Sequence, residues 1–188
     1  MAVATHLVHK SALGRLSHES VARRLGPMIE AGFVGTCGII ELEVRYSARS
    51  HPEYEDITRD RRLGYESFPM PDEVWDRVLE VQRALSERGQ LRAVKFPDLL
   101  IAATAERHGL VVIHYDHDFD LVAAVTDQPT EWVVPQGSVP WADCRSDRAG
   151  RLEVAEVVAI APPARGAHRK PNGLEDFLEL EPHHDATS

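Results

Sequence analysis

Val112-Ile113-His114-Tyr115-Asp116-His117-Asp118-Phe119-Asp120-Leu121 decides the fold when read with the stretch before it, Phe96-Pro97-Asp98-Leu99-Leu100-Ile101-Ala102-Ala103-Thr104-Ala105. The earlier stretch opens as a helix on Pro97 and Asp98, since proline and an acidic residue both suit a first helical turn. The later stretch continues a short apolar run, Leu110-Val111-Val112-Ile113, and then sets out aspartates at 116, 118 and 120. Carboxylates therefore collect at the end of a buried strand and at the start of a neighbouring helix. Open α/β sheets place their ligands in that crevice, outside the carboxyl ends of the strands. Clustered carboxylates repel one another unless something cationic sits between them. Mg2+ and Mn2+ suit such oxygen ligands. The pattern implies a metal site for phosphate chemistry.

Working outward, the chain alternates strands and helices. His6 to Val8 is a short strand, and the chain turns into a helix at Ser11. Ser20 to Ala31 is helical and stops at Gly32. Phe33 to Thr36 is a second strand, and Thr36 caps a helix running through about Ala48. Glu53 to Leu63 is a charged helix. Pro71-Asp72 opens a long amphipathic helix in which Val74, Val78, Val81 and Leu85 recur at helical spacing, and Gly89 ends it. A helix from Pro97 to His108 is closed by Gly109. Leu110 to Tyr115 is the third strand, Phe119 to Val125 a short helix, and Glu131 to Val134 a last strand. Alternation of this kind implies α/β architecture, a parallel sheet covered on both faces.

The 188 residues allow one domain and an appendage. After Pro140 the composition shifts toward Arg, Gly, Pro and Asp, broken by two apolar pieces, Leu152 to Ala161 and Phe177 to Leu180. The reading is a domain over 1–140 and a poorly ordered tail over 141–188. No apolar run approaches the roughly 18 residues of a membrane span, and the N-terminus lacks a secretory h-region, so a cytoplasmic protein without membrane contact is expected. Cys37 and Cys144 form no metal or redox pattern. The net charge is −9, of which residues 1–140 contribute −6. That balance excludes tight nonspecific nucleic-acid binding by phosphate neutralisation alone. It leaves room for a nuclease whose carboxylates hold cations. Arg45 and Arg49, Arg59, Arg61 and Arg62, and Arg83, Arg88 and Arg92 are local basic groups, better read as solvated helix faces.

Rival motifs fall away. An EF-hand starting at Asp116 would need Gly at its sixth position and Glu at its twelfth, where this chain has Leu121 and Asp127. An aspartyl-phosphate phosphatase would carry its aspartates on the first strand, whereas here they follow the third. There is no GxSxG elbow, no GxGxxG and no Walker loop. His183-His184-Asp185 reads as a solvated terminus. Asp98 alone would be read as an offset to its helix dipole, worth ~0.3–1 kcal/mol. With Asp116 at the same sheet edge it becomes a ligand candidate. For Asp120, helix capping is the better reading. Glu41 and Glu43 lie two apart on one helix, so only one of them can face the crevice.

Four stretches together resemble the PIN-domain ribonucleases, the VapC toxins of toxin–antitoxin pairs. They are Leu7-Val8-His9-Lys10-Ser11-Ala12-Leu13, Leu42-Glu43-Val44-Arg45-Tyr46-Ser47-Ala48-Arg49, Phe96-Pro97-Asp98-Leu99-Leu100-Ile101-Ala102-Ala103, and His114-Tyr115-Asp116-His117-Asp118-Phe119-Asp120. They occur in family order at compatible spacing, within about residues 3 to 140. The resemblance implies a three-layer α/β/α domain with a central parallel sheet that cuts RNA with Mg2+ or Mn2+. It implies metal-binding or catalytic roles for Glu43, Asp98 and Asp116, with Asp118 accessory, and it selects Glu43 over Glu41. It implies that Ser11 orients a ligand or water. It also implies a cognate antitoxin protein and a homodimer. One residue departs from the pattern: His9 stands where the family has a metal-binding Asp. Imidazole is a poor ligand for Mg2+ and cannot bridge two ions, so the expectation is a site in which His9 replaces a carboxylate ligand and activity is reduced or lost. A catalytically inactive module that binds antitoxin and RNA is the alternative. His9 is expected at the end of the first strand, facing Asp98 and Asp116.

Overall fold

Successive residues of a strand point to opposite faces of the sheet. Leu7 and Val8 are neighbours in β1 (His6–Val8), yet both are fully buried, in two different apolar clusters. Val112 and Ile113 in β4 (Val111–His114) divide in the same way. A sheet buried on both faces by helices produces this division. The structure, a computed structural model, describes residues 3–140. With β2 (Val34–Cys37), β3 (Glu66–Phe68) and β5 (Thr130–Trp132), the strands form one parallel sheet in the order β3-β2-β1-β4-β5. The result is the three-layer α/β/α architecture that the sequence implied.

The helices are α1 (Lys10–Leu13), α2 (Glu19–Glu30), α3 (Gly38–Arg45), α4 (His51–Gly64), α5 (Asp72–Glu87), α6 (Phe96–His108) and α7 (Asp118–Thr126). On one face Val21, Leu25 and Ile29 of α2 pack with Val8, Val34 and Ile113. On the other, α3, α5, α6 and α7 pack around Leu7 and Val112. The α6 helix is buried continuously from Asp98 to Ala105, which explains its lack of a polar face. Gly109 closes it in the left-handed region at φ 65°, where glycine carries no Cβ penalty. The α5 stripe Val74, Val78, Val81 and Leu85 is buried as its spacing requires. Arg77 of α5 grips both oxygens of Glu106 on α6, at 2.8 and 2.9 Å.

Four strands of the sequence reading have counterparts here; β3 does not. It is three residues long, lies at the edge and has two of its residues exposed, so it carries no apolar pattern. Its trace in the sequence is Gly35. A Cβ on Gly35 would lie 2.4 Å from a Phe68 ring carbon and 2.9 Å from the Glu66 carbonyl oxygen. Glycine inside a strand marks such an approach. The expected Thr36 cap is also corrected. Cys37 is the N-cap of α3, and the helix ends at Arg45 rather than Ala48. Thr36 remains in β2, where its hydroxyl donates to Glu41 at 2.7 Å and accepts from Arg61 at 2.9 Å. The last strand starts one residue earlier than expected and ends two earlier, at Trp132. Cys37 is buried and free. Cys144, the proposed tail and His183-His184-Asp185 lie outside the described residues. No helix among the described residues is long and apolar enough to cross a membrane.

Candidate active site

Connections from β1 and β4 leave in opposite directions, β1 toward β2 and β4 toward β5. The crevice beyond the carboxyl ends of these two adjacent strands is where an open α/β sheet accommodates a ligand. Each element delivers a polar group there by its end. His9 follows β1 and is the N-cap of α1. Asp116 follows β4, and Asp118 begins α7. Asp98 lies in the first turn of α6, and Glu43 reaches in from α3.

The site has two halves. In the first, the Lys10 ammonium donates to Glu43 Oε1. His9 Nε2 lies 3.5 Å from Glu43 Oε2 and 3.3 Å from Asp98 Oδ1. In the second, Asp98, Asp116 and Asp118 each bring a carboxylate oxygen within 4.8 Å of the others. The Lys95 ammonium lies 3.1 Å from Asp118, 3.5 Å from Asp116 and 3.9 Å from Asp98. Oxygen donors at this separation fit a hard divalent cation.

A short relay fixes the orientation of His9, which is 1% exposed. The Tyr115 backbone N–H donates to Ser11 Oγ at 2.8 Å. Ser11 Oγ in turn lies 2.8 Å from His9 Nδ1, and the Ser11 backbone N–H also donates to Nδ1, at 3.4 Å. Nδ1 is thus the acceptor, and the ring proton sits on Nε2, toward the two carboxylates. In this tautomer His9 offers the site a donor rather than a lone pair.

Electrostatics separate the halves further. Burial pushes Glu43 up, but the facing His9 ring and the hydrogen bond and charge of Lys10 outweigh it, and the carboxyl ends below its usual range. Burial also pushes Asp98 up; there the carboxylates of Asp116 and Asp118 add to the effect, Lys95 opposes it, and Asp98 reaches about 8. Behind the site, burial lowers His114 to about 4. Its Nδ1 accepts from the Asp116 backbone N–H at 3.2 Å, and its ring packs on Phe119 and Trp132.

Residues 8–125 match the PIN domain family. The chain belongs to that family. It is 47% identical over 133 residues to Ribonuclease VapC21 of Mycobacterium tuberculosis, a match covering 71% of this chain and 96% of that protein. It is 44% identical over 137 residues to Ribonuclease VapC51 of the same organism, covering 71% and 96%. A solved structure of DNA-bound VapBC from Salmonella typhimurium matches with a TM-score of 0.58 at 14% identity, over 70% of this chain and 100% of that one. That last likeness concerns the fold.

In this PIN domain the sequence candidates occupy distinct places. Asp98, Asp116 and Asp118 converge, and Asp118 stands with the other two rather than behind them. Glu43 faces the crevice but sits outside the aspartate group, held by Lys10. Glu41 turns the other way, into a network with Arg45 at 2.8 Å and the buried Arg61 at 2.7 Å. His9 faces Glu43 and Asp98 rather than Asp98 and Asp116. Ser11 is buried, and its hydroxyl holds His9 to the end of β4. Asp120 accepts from Trp132 Nε1 at 3.1 Å and pairs with His117. Arg45 and Arg61 are tied to Glu41, Arg59 to Asp56, and Arg83 to Glu87.

Sequence reasoning missed Lys10 and Lys95. The available signals were position alone: Lys10 sits inside the first motif, and Lys95 precedes Asp98 by three residues, a helical neighbour spacing.

Proposed function

We propose that this chain is a toxin-type endoribonuclease that hydrolyses RNA phosphodiester bonds with Mg2+ or Mn2+ and is neutralised by a cognate antitoxin protein. The observation that carries the reading is the convergence of Asp98, Asp116 and Asp118 at the β1/β4 crevice, in a chain 47% identical over 133 residues to a ribonuclease. Asp98, Asp116 and Asp118 would hold the ion, with Glu43 beside them. Bound there, it supplies Lewis-acid polarisation of the scissile phosphate and a more acidic water. The rest falls to the chain. Glu43, kept low by His9 and Lys10, remains a fixed anion. Without an ion, Asp98 is pushed up to about 8 and keeps near neutral pH a proton that an incoming ion would have to displace. Ser11 holds His9, and so the end of β1, against the end of β4. The protein acts in the cytoplasm, as a homodimer, through the domain over 1–140. Leu42 on α3 and Tyr46 at its C-cap, 68% and 92% exposed, offer apolar surface for a protein partner.

The second reading is a catalytically inactive PIN module that binds antitoxin and RNA. It is favoured by one observation: His9 turns a proton toward Glu43 and Asp98 where the family's carboxylate would offer ligand oxygens. The experiment compares RNA cleavage by the full chain, by His9→Asp and by Asp98→Asn/Asp116→Asn, in Mn2+, Mg2+ and EDTA. His9→Asp is expected to cleave roughly a hundredfold faster than the parent, the size of effect seen when a group supporting a metal site changes, and the double variant is expected to be inert. Cleavage in EDTA would overturn the metal dependence, and none by His9→Asp on any RNA would overturn the nuclease reading. RNA retention without cleavage by the parent alone would favour the module.

A further inference from the structure

Among the described residues, one feature of the crevice has no place in the chemistry above: an ammonium lies among the three aspartates. Lys95 sits at the N-cap of α6, one turn before Asp98. Its backbone N–H donates to Asp118 Oδ2 at 3.3 Å, and its Nζ lies 3.1 Å from the same oxygen. Asp116 and Asp98 are 3.5 and 3.9 Å from that Nζ. Three carboxylates therefore converge on a single positive charge, at the locus where they would converge on an ion. Lys10 does not share this role, because its ammonium is engaged by Glu43 in the other half of the site.

We propose that Lys95 is the built-in counter-cation of the aspartate group, holding the position of the divalent ion and yielding it only by swinging out. This inference rests on the metal-site reading above. The carboxylate oxygens lie within 4.8 Å of one another. A hard divalent ion takes such oxygens at about 2.0–2.2 Å, which leaves no room for an ammonium among them. The occupants are mutually exclusive. The exchange is mechanically easy: Lys95 is 67% exposed while Asp98 is 4% exposed in its side chain, so the stem can leave without disturbing the buried carboxyl. An ammonium is a compact, hydrated charge on a flexible chain, suited to a position it has to vacate. Its presence lets the aspartates stay together without a metal, since clustered carboxylates otherwise repel. It also makes the site selective, because a cation must outcompete a tethered one.

The test uses the full chain, with Mn2+ alone as the probe. Calorimetric titration is run on the parent, Lys95→Met and Lys95→Arg, and on the same lysine variants combined with His9→Asp. Lys95→Met is expected to bind Mn2+ roughly two- to fivefold more tightly, the factor set by an exposed ion pair of up to about 1 kcal/mol. Lys95→Arg stays near the parent. In EDTA, Lys95→Met is expected to melt lower by up to roughly 2–4 °C, and Asp118→Asn in the same chain should abolish most of that difference. Equal or weaker Mn2+ binding by Lys95→Met overturns the proposal, as does an EDTA melting loss that Asp118→Asn leaves intact. If His9→Asp binds Mn2+ and Lys95→Met does not alter that affinity, only this inference fails. If none of the variants binds Mn2+, the metal-site reading fails and this inference with it.

Discussion

Glu43 and Asp98 both face His9, within 3.5 and 3.3 Å of its Nε2, yet their environments drive them in opposite directions. Glu43 is held below the ordinary carboxylate range, because His9 and Lys10 together overcome its burial. Asp98 is pushed up to about 8, because deep burial is joined by Asp116 and Asp118 against the opposing charge of Lys95. One carboxyl is a finished ion pair. The other is a buried carboxyl that keeps its proton near neutral pH until a stronger cation displaces it. The contrast teaches that a carboxylate cluster is not one electrostatic object: how many cations each member meets, and how buried it is, decide which member carries exchangeable protons.

The sharpest way to break the comparison is to remove the carboxyl that is pushed up. Asp98 binds more protons in the folded than in the unfolded chain between about 4 and about 8. Its favourable contribution is therefore full at low pH and is lost as pH rises through about 8. His114, lowered from 6.5 to about 4, works the other way across that lower window, losing stability as pH falls. The Asp98 effect is cleanest between pH 6.5 and 8. In EDTA, Asp98→Asn is expected to stabilise the fold at pH 8 by of the order of 2 kcal/mol more than at pH 6.5. Denaturant titrations at the two values check it. Equal effects at both would show that Asp98 is ionised like Glu43, and the contrast would collapse.

A smaller effect follows for metal. An ion must displace the Asp98 proton, so Mn2+ affinity should rise by up to about tenfold per pH unit below 8, with about one proton released. Calorimetry in buffers of different ionisation enthalpy measures that proton. Release of none would place the uptake on groups that are already ionised.

The smallest expected effect has the opposite sign. Glu43→Gln removes a carboxylate that is stabilised by its partners, so it should destabilise the metal-free fold at pH 7 by about 1 kcal/mol. Glu43 contributes stability above its unfolded value of 4.5, and that contribution is lost as pH falls through the lowered folded one. The penalty should therefore fade in acid. Thermal melts of parent and Glu43→Gln at pH 7 and pH 4 test it. A stabilising Glu43→Gln would make the two carboxyls alike.

Legibility in the sequence followed periodicity and burial. The α5 stripe and the continuous α6 run were readable because both elements bury a face long enough to impose a pattern. β3 was not, since three residues at a sheet edge, two of them exposed, bury too little to leave one. Thr36 was misread as a cap because Ser and Thr before a helix usually serve that role; here Arg61, twenty-five residues away, claims the hydroxyl. Of the site, the motifs named Asp98, Asp116, Asp118 and Glu43. They did not reveal that Asp118 joins the trio while Glu43 stands apart with Lys10.

By itself the sequence determined the alternation of strands and helices, the double burial of the sheet and the chemical type of the site. Those properties depend on local patterns of apolar and acidic residues, and a local pattern survives in one dimension. Only the tertiary structure decided which carboxyl meets which cation. Lys10 meets Glu43 across 33 residues, and Lys95 meets Asp118 across 23. His9 turns its Nε2 to Glu43 and Asp98 because Ser11, itself tied to Tyr115 across 104 residues, holds the other ring nitrogen. Charge interactions fall with distance in space and strengthen with burial, and neither quantity is written along the chain.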